Sequence, residues 1–442
     1  MVVGGGVQTG KGDGLKIHCA KALVGSNPTR RMNNPSPVDV AARMDVIREL
    51  CSFEGRRAGT DAERRAANWL AERLRDTGRR ADVEPTYVHP QYGLVHALHC
   101  AVGFAGSLVS IIQPAVGFAL VLLAALSMYL DLNGRFYLAR RLFFRRASQN
   151  VIARGKNSDA PARVFITAHY DSARSGSAFD PKRVARASRL SRRLPFPVAP
   201  FRILFWSLAV LLPILGLRMA GVDSNLVSLL QLIPTLILLI GAFLLTDIEL
   251  SNVVPGANDN ASGVATALSL AQELDANPPE NLDVWILLTG AEECQMEGMR
   301  TFIRSHRKSI DRESSYFIVL DALGAGAVHY ETGEGLAVTY DLDRRLAELC
   351  TAVADADREN GNRFNAKPWR SGFATDALPA RIAKLRATAI TCLADGSLLP
   401  AHYHRPDDVP NRIDRQTLDR AHDFVLELLR ALDRDVGRRA SR

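Results

Sequence analysis

Charge is missing from long parts of this chain, and paired cysteines are missing from all of it. The six cysteines among 442 residues (Cys19, Cys51, Cys100, Cys294, Cys350 and Cys392) are scattered, with no Cys-x-x-Cys spacing. That excludes a structural zinc knot and a disulfide scaffold, and leaves free thiols. No Asp, Glu, Lys or Arg occurs between Pro85 and Leu130. A second apolar block runs from Phe201 to Thr246, interrupted at Arg218 to Asp223. Soluble helices seldom stay apolar on every face for so long. A spanning helix takes roughly 20 residues, so each block has room for two. The first, broken at Gln113-Pro114, fits two tight spans or a re-entrant segment. The second fits a hairpin whose later half, Leu226 to Thr246, is a good single span.

The net charge of +8 raises the question of nucleic acid. The arginines are not laid out as a recognition helix; they cluster at Arg135 to Arg146 and Lys182 to Arg193, beside the apolar blocks. Such placement fits membrane flanks, and no nucleic-acid partner is expected. The ionisable residues of the apolar blocks (His96, His99 and Arg202) lie near segment ends, which argues against a transport path. Residues 1–35 are Gly-rich and polar without the layout of a signal peptide, and read as a disordered tail.

The rest alternates strands and helices. Arg163 to Ala168, Asp283 to Thr289, Tyr316 to Leu320 and Thr388 to Leu393 read as buried strands. Helical periodicity marks Val38 to Phe53, Asp61 to Thr77, Ser262 to Leu274, Leu342 to Ala356 and Gln416 to Arg430. Thr60 and Glu63 have capping-box spacing, and Gly78 is placed to end the second helix. The predicted class is α/β, with a mixed, mostly parallel sheet flanked by helices and two inserted hydrophobic hairpins. The expected division is a tail at 1–35, N-terminal helices at 36–90 and a membrane hairpin at 91–134. Catalytic sequence follows at 135–172, then a basic linker and second hairpin at 173–250, catalytic sequence again at 251–435, and a tail at 436–442.

Acidic and histidine motifs recur, most of them just after a predicted strand, where open α/β sheets bind ligands. They are His169-Tyr170-Asp171, Asp259-Asn260-Ala261-Ser262-Gly263, Glu292-Glu293, Asp321, and His402-Tyr403-His404-Arg405-Pro406-Asp407-Asp408. Singly, each is explained by a helix cap, a turn or a solvated loop. Together, two histidines and three carboxylates supply ligands for two divalent ions and leave one carboxylate as a base.

In this order the motifs resemble the co-catalytic di-zinc aminopeptidase family, which includes leucyl aminopeptidases and glutamate carboxypeptidase-like enzymes. Arg56-Arg57-Ala58-Gly59-Thr60 also resembles its R-x-x-G-T element. The resemblance spans roughly Val38 to Leu432 outside the apolar blocks. It implies a zinc-dependent exopeptidase acting on peptides, with two Zn2+. His169 and Asp321 would bind one ion, Glu293 and His404 the other, and Asp259 would bridge them. Glu292 would be the general base, and Asp171 would orient His169. A cis peptide after Asp259 is also implied.

Some positions depart from the family pattern. Gln295 and Met299 replace a Gly and a Ser of the glutamate motif, and Thr375-Asp376-Ala377 stands for S-D-H. No tyrosine lies just upstream to polarise a substrate carbonyl, a part Tyr403 would take. His402 is an alternative ligand to His404, which has Pro406 and Asp408 at the family spacing. Cys294 reads as packing, since no histidine base is paired with it. The competing readings are a catalytically inactive membrane scaffold of the same fold, and a glutaminyl cyclase.

The second apolar block separates His169 from Asp259, so it must cross a bilayer an even number of times. Four spans in two hairpins are expected, with the lipid bilayer as partner. The basic flanks then place the catalytic domain in the cytoplasm. Oligomeric state has no signature in the sequence.

Overall fold

The computed structural model describes residues 37–191, 193, 199–394 and 396–441; the tail predicted at 1–35 lies outside them. Two helices, α1 (Pro37–Ser52) and α2 (Asp61–Asp76), open the chain. Thr60 caps α2 by accepting from the Glu63 amide at 3.2 Å, and Gly78 follows the helix at a φ of +78°. The capping box is incomplete, because the Glu63 carboxylate takes the amide of Gly59 at 2.7 Å instead of that of Thr60.

Nine strands form one sheet: β1 (Ala81–Val88), β2 (Arg146–Ala153), β3 (Ala162–His169), β4 (Leu282–Thr289), β5 (Ser315–Asp321), β6 (Ala327–Glu334), β7 (Tyr340–Asp341), β8 (Lys367–Arg370) and β9 (Arg386–Leu393). Their order is β1-β2-β4-β3-β5-β9-β6-β7, with β8 beside β6. The central run β4-β3-β5-β9 is parallel. It contains the four strands predicted from buried apolar runs, as expected where both faces are covered. The strands added at either side, most of them antiparallel, make the sheet mixed as expected, although none of them was located in the sequence. Pro85 is tolerated because β1 is an edge strand.

Side chains alternate across the central strands and so divide the interior in two. Val164, Ile166, Ile286, Ile318 and Ile390 join a core with α1, α2 and the helices α8 (Ser262–Ala276), α10 (Arg344–Glu359) and α11 (Arg415–Ala440). The last helix runs through the 436–440 segment expected to be tail. Phe165, Leu287, Phe317 and Val319 point the other way, into a core that continues through Met299 and Phe302 of α9 (Glu297–His306). That core extends into four apolar helices: α3 (Tyr92–Val109), α4 (Pro114–Leu132), α6 (Pro200–Met219) and α7 (Asn225–Leu250), with the short basic helix α5 (Pro181–Ser191) before α6.

All four are long and apolar enough to cross a membrane. They form two hairpins, α3–α4 turning at 110–113 and α6–α7 turning at 220–224. Gly103 and Gly241 permit close approach inside the bundle, since a Cβ at either would lie 2.3 Å from a leucine methyl of a neighbouring helix. Outward-facing positions such as Leu126, Ile233 and Phe243 stay exposed and apolar.

One basic flank behaves differently from the expectation. Arg140 is completely buried: it donates to both Asp131 oxygens (3.0 and 2.9 Å), to Glu297 Oε1 (2.5 Å) and to Gln295 Oε1 (2.6 Å). It joins the first hairpin to the catalytic domain and is no surface charge.

Candidate active site

The carboxyl ends of the parallel strands converge where ligands bind in such sheets. β3 ends in His169, β5 in Asp321, and Glu292 and Glu293 follow β4. The loop after β9 carries His404, and Asp259 sits in the kinked, non-helical turn Ala257–Ala261 that leads into α8. His169 Nε2 lies 3.2 Å from Asp259 Oδ1 and 3.8 Å from Asp321 Oδ1. His404 Nε2 lies 3.2 Å from Glu293 Oε2 and 3.4 Å from Asp259 Oδ2. Two donor triads, His169–Asp259–Asp321 and Asp259–Glu293–His404, thus share Asp259, and Glu292 joins His169 and Glu293 in a third grouping.

Neighbouring groups hold these side chains in place. The Asp408 carboxylate accepts the amides of Asn258 (2.7 Å) and Asp259 (3.1 Å). The Asp259–Asn260 peptide is cis. Asn260 Oδ1 accepts from Gly263 and Ala322, while its Nδ2 donates to Leu320 O, tying the turn to the end of β5. Gly263 is required there, because a Cβ would lie 2.3 Å from Asn260 Oδ1. Asp171 accepts the amides of Glu292 (3.0 Å) and Glu293 (3.2 Å), and its Oδ1 is 3.5 Å from His169 Nδ1. One carboxylate therefore orients the histidine and fixes the glutamate pair. Arg56 is buried and donates to the carbonyls of Tyr170, Leu50, Gly256 and Pro255. It clamps the two segments that present His169 and Asp259.

Burial disfavours both imidazolium ions, but the carboxylates outweigh it. His169 is pushed well up by Asp171, Asp259 and Asp321, and His404 is pushed up to about 10 by Glu293 and Asp259. Glu292, Glu293 and Asp321 are pushed up by burial and by neighbouring carboxylates. A buried acidic cluster of this density calls for cations. Asp259 Oδ2, Glu293 Oε1 and His404 Nε2 are buried without hydrogen-bond partners in the protein, within a set of imidazole and carboxylate donors. Orphaned donors of this kind fit zinc.

Of the remaining expectations, His402 is turned away and pairs with Asp407 at 2.9 Å, leaving His404 in the cluster. Tyr403 stacks on His404 with ring centroids 3.8 Å apart, and Phe179 packs against both rings. Cys294 is buried, and burial pushes its thiol well up, which disfavours the thiolate.

Several further contributors had no site role assigned from the sequence. Glu63 reaches from α2 to accept the Ala291 amide at 3.1 Å, next to Glu292. Asp376 bonds to Thr289 Oγ1, and burial pushes it up to about 7. Glu331 and Glu334 are buried together on β6; burial pushes Glu334 up to about 8 and Glu331 well up, the latter also through the Glu334 charge. Such a pair shares a proton. The folded pair holds protons well above the range in which the unfolded chain releases them, near 4.5. Stability from this pair is therefore greatest at the acidic end and falls as pH rises through that window. Glu331→Gln is expected to flatten the decline, read from denaturation midpoints between pH 5 and about 8; an unchanged slope would contradict the shared proton.

Comparison with known proteins agrees with this geometry. Residues 244–429 match the model of peptidase family M28. Over those residues the chain is similar to the M28 peptidases. Asp259, Glu292, Glu293, Asp321 and His404 fall within the matched residues, while His169 lies upstream, beyond the second hairpin. Among solved structures, a zinc aminopeptidase from Bacillus subtilis is 14% identical with a TM-score of 0.52, the match covering 90% of this chain and 96% of that one. A Zn-dependent exopeptidase from Parabacteroides distasonis is 14% identical with a TM-score of 0.51, covering 88% and 97%. Glutaminyl cyclase from Porphyromonas gingivalis is 14% identical with a TM-score of 0.50, again covering 88% and 97%. At these identities the likeness establishes the fold of the chain. No curated protein matches it.

Proposed function

We propose that this protein is a two-zinc aminopeptidase of the M28 type, held in a membrane by its two hairpins and releasing N-terminal residues from peptides. The observation that carries the reading is the pair of donor triads sharing Asp259, with Glu292 beside them and buried donor atoms unsatisfied by the protein. His169 and Asp321 would hold one ion, Glu293 and His404 the other, and Asp259 both. Bound zinc would polarise the scissile carbonyl and lower the pKa of water. Glu292 then takes the water proton on its carboxylate and returns it to the leaving amine. Its burial among Asp376, Glu293 and Asp321 raises its proton affinity, as a group that must carry a proton between two steps requires. Asp171 keeps the His169 ring and the Glu292 backbone in register. Tyr403, stacked on His404, would line the substrate side.

The membrane part of the proposal rests on the four apolar helices and their exposed faces. Both hairpins return to the same side, where α7 ends with Glu249 bonded to Arg57 and to the Gly93 amide. The cytoplasm is the expected side of the catalytic domain, given Lys182 to Arg189 beside the second hairpin. Single cysteines engineered on its surface are expected to resist an impermeant thiol reagent added outside intact cells; ready labelling would reverse the orientation.

Activity is tested with detergent-purified protein on a panel of aminoacyl-anilides, with chelator and then with zinc restored. Chelator-sensitive, zinc-restored release of the anilide is expected. Cyclisation of N-terminal glutaminyl peptides without anilide release would replace the aminopeptidase reading with the cyclase one. Bound zinc with neither activity would contradict both.

A further inference from the structure

A cavity of about 660 Å³ lies between α6, α7 and the loop at 337–339, away from the zinc ligands. Arg202, Ile203, Trp206 and Val210 line it from α6, and Ile233 and Ile237 from α7. The loop is fixed to α6: Arg202 Nη2 donates to Gly335 O and Thr339 Oγ1, both at 2.7 Å, and Trp206 Nε1 donates to Ala337 O at 3.2 Å. The cavity is therefore a built groove with a wall from the catalytic domain, and differs from the convex helix surface elsewhere on the bundle.

Its depth identifies its ligand. Arg202 stands in the first turn of α6, and Val210 is eight residues further in, about 12 Å along the helix. On α7, Asp247 binds the Ser177 amide and Glu249 binds Arg57, so the apolar part starts near Thr246. Ile237 and Ile233 then lie about 13 and 20 Å inside. The hydrocarbon of one leaflet is about 15 Å deep, half of the ~30 Å core. The groove starts at headgroup level beside an arginine; Val210 and Ile237 lie within the near leaflet, and Ile233 lies just past the bilayer centre.

Resting on the membrane reading above, we infer that this groove binds one phospholipid of the leaflet on the catalytic-domain side. The acyl chain lies along Trp206, Val210 and Ile237 with its end reaching Ile233, and the headgroup phosphate faces Arg202. A guanidinium matches phosphate oxygens in charge and geometry, and basic pockets between membrane helices take anionic headgroups. The same arginine holds Gly335, whose amide donates to Phe373 O at 2.9 Å. Phe373 packs 6.3 Å from Tyr403, which stacks on His404, so a bound lipid braces a wall that reaches the active site.

Trp206 makes the test direct. The full chain is reconstituted with rising fractions of phospholipid brominated in the acyl chain, and the Trp206 component is isolated by subtracting the Trp206→Phe variant. Saturable quenching at about one lipid per chain is expected, as a single site requires. It should be about fivefold tighter for an anionic than for a zwitterionic headgroup, and about fivefold weaker in Arg202→Gln. The groove-filling double variant Val210→Phe, Ile233→Phe should remove the saturable part and retain zinc and anilide hydrolysis. Quenching that only rises in proportion to the brominated fraction, unchanged by groove filling, would overturn the site and leave the membrane reading standing. No quenching at any fraction would overturn both.

Discussion

Glu292→Gln is expected to lower kcat by roughly 10²- to 10⁴-fold, the range general acid–base catalysis contributes, while the zinc content stays at the wild-type level. The amide is nearly the same size as the carboxylate, and the Glu292 backbone amide would keep its 3.0 Å bond to Asp171. What is lost is the group that accepts a proton. Glu293→Gln should behave oppositely and lose zinc, because its carboxylate belongs to the triad with Asp259 and His404. Kinetics and elemental analysis on the same preparations separate the two. Near-normal turnover in Glu292→Gln would assign the base to another residue. Loss of zinc in that variant would make Glu292 a ligand.

Arg140→Met should have the largest effect on stability. The guanidinium lies between Asp131, at the end of the first hairpin, and Glu297, at the start of α9, and all three side chains are buried. Removing one partner of a buried ion pair leaves uncompensated charge and costs about 3–5 kcal/mol. The loss reaches the active site, because Arg140 also holds Gln295 and the Cys294 carbonyl in the loop that begins with Glu292 and Glu293. His96 of the first hairpin bonds to the same Gln295 at 3.1 Å. Thermal unfolding in detergent should show the deficit, and adding Asp131→Asn with Glu297→Gln should recover much of it. A loss below about 1 kcal/mol in Arg140→Met would mean that the junction does not depend on this charge.

The Arg140 cluster also shows where sequence reading ends. The four parallel strands were legible because burial on both faces leaves near-continuous apolar runs, and their ends marked His169 and Asp321 directly. The Glu292-Glu293 pair and Asp259 were legible through motif order, and the structure brings them together with His169 and His404. The four apolar helices were legible from length and absence of charge. Arg140 was read as a flank because a charge beside an apolar block ordinarily stays in water; its buried partners come from α4 and α9, far apart in sequence. Glu331 and Glu334 gave no signal, as their burial depends on β6 lying between β9 and its short neighbours. β1 was hidden by Pro85 and its polar residues, features that an edge strand tolerates.

Elemental analysis of the detergent-purified full chain, beside its Asp259→Ala variant, tests the central claim most directly. The account predicts two zinc ions per wild-type chain and the loss of both in the variant, because Asp259 is shared by the two triads. A wild-type chain that retains no zinc after purification in zinc-supplemented buffer would contradict it.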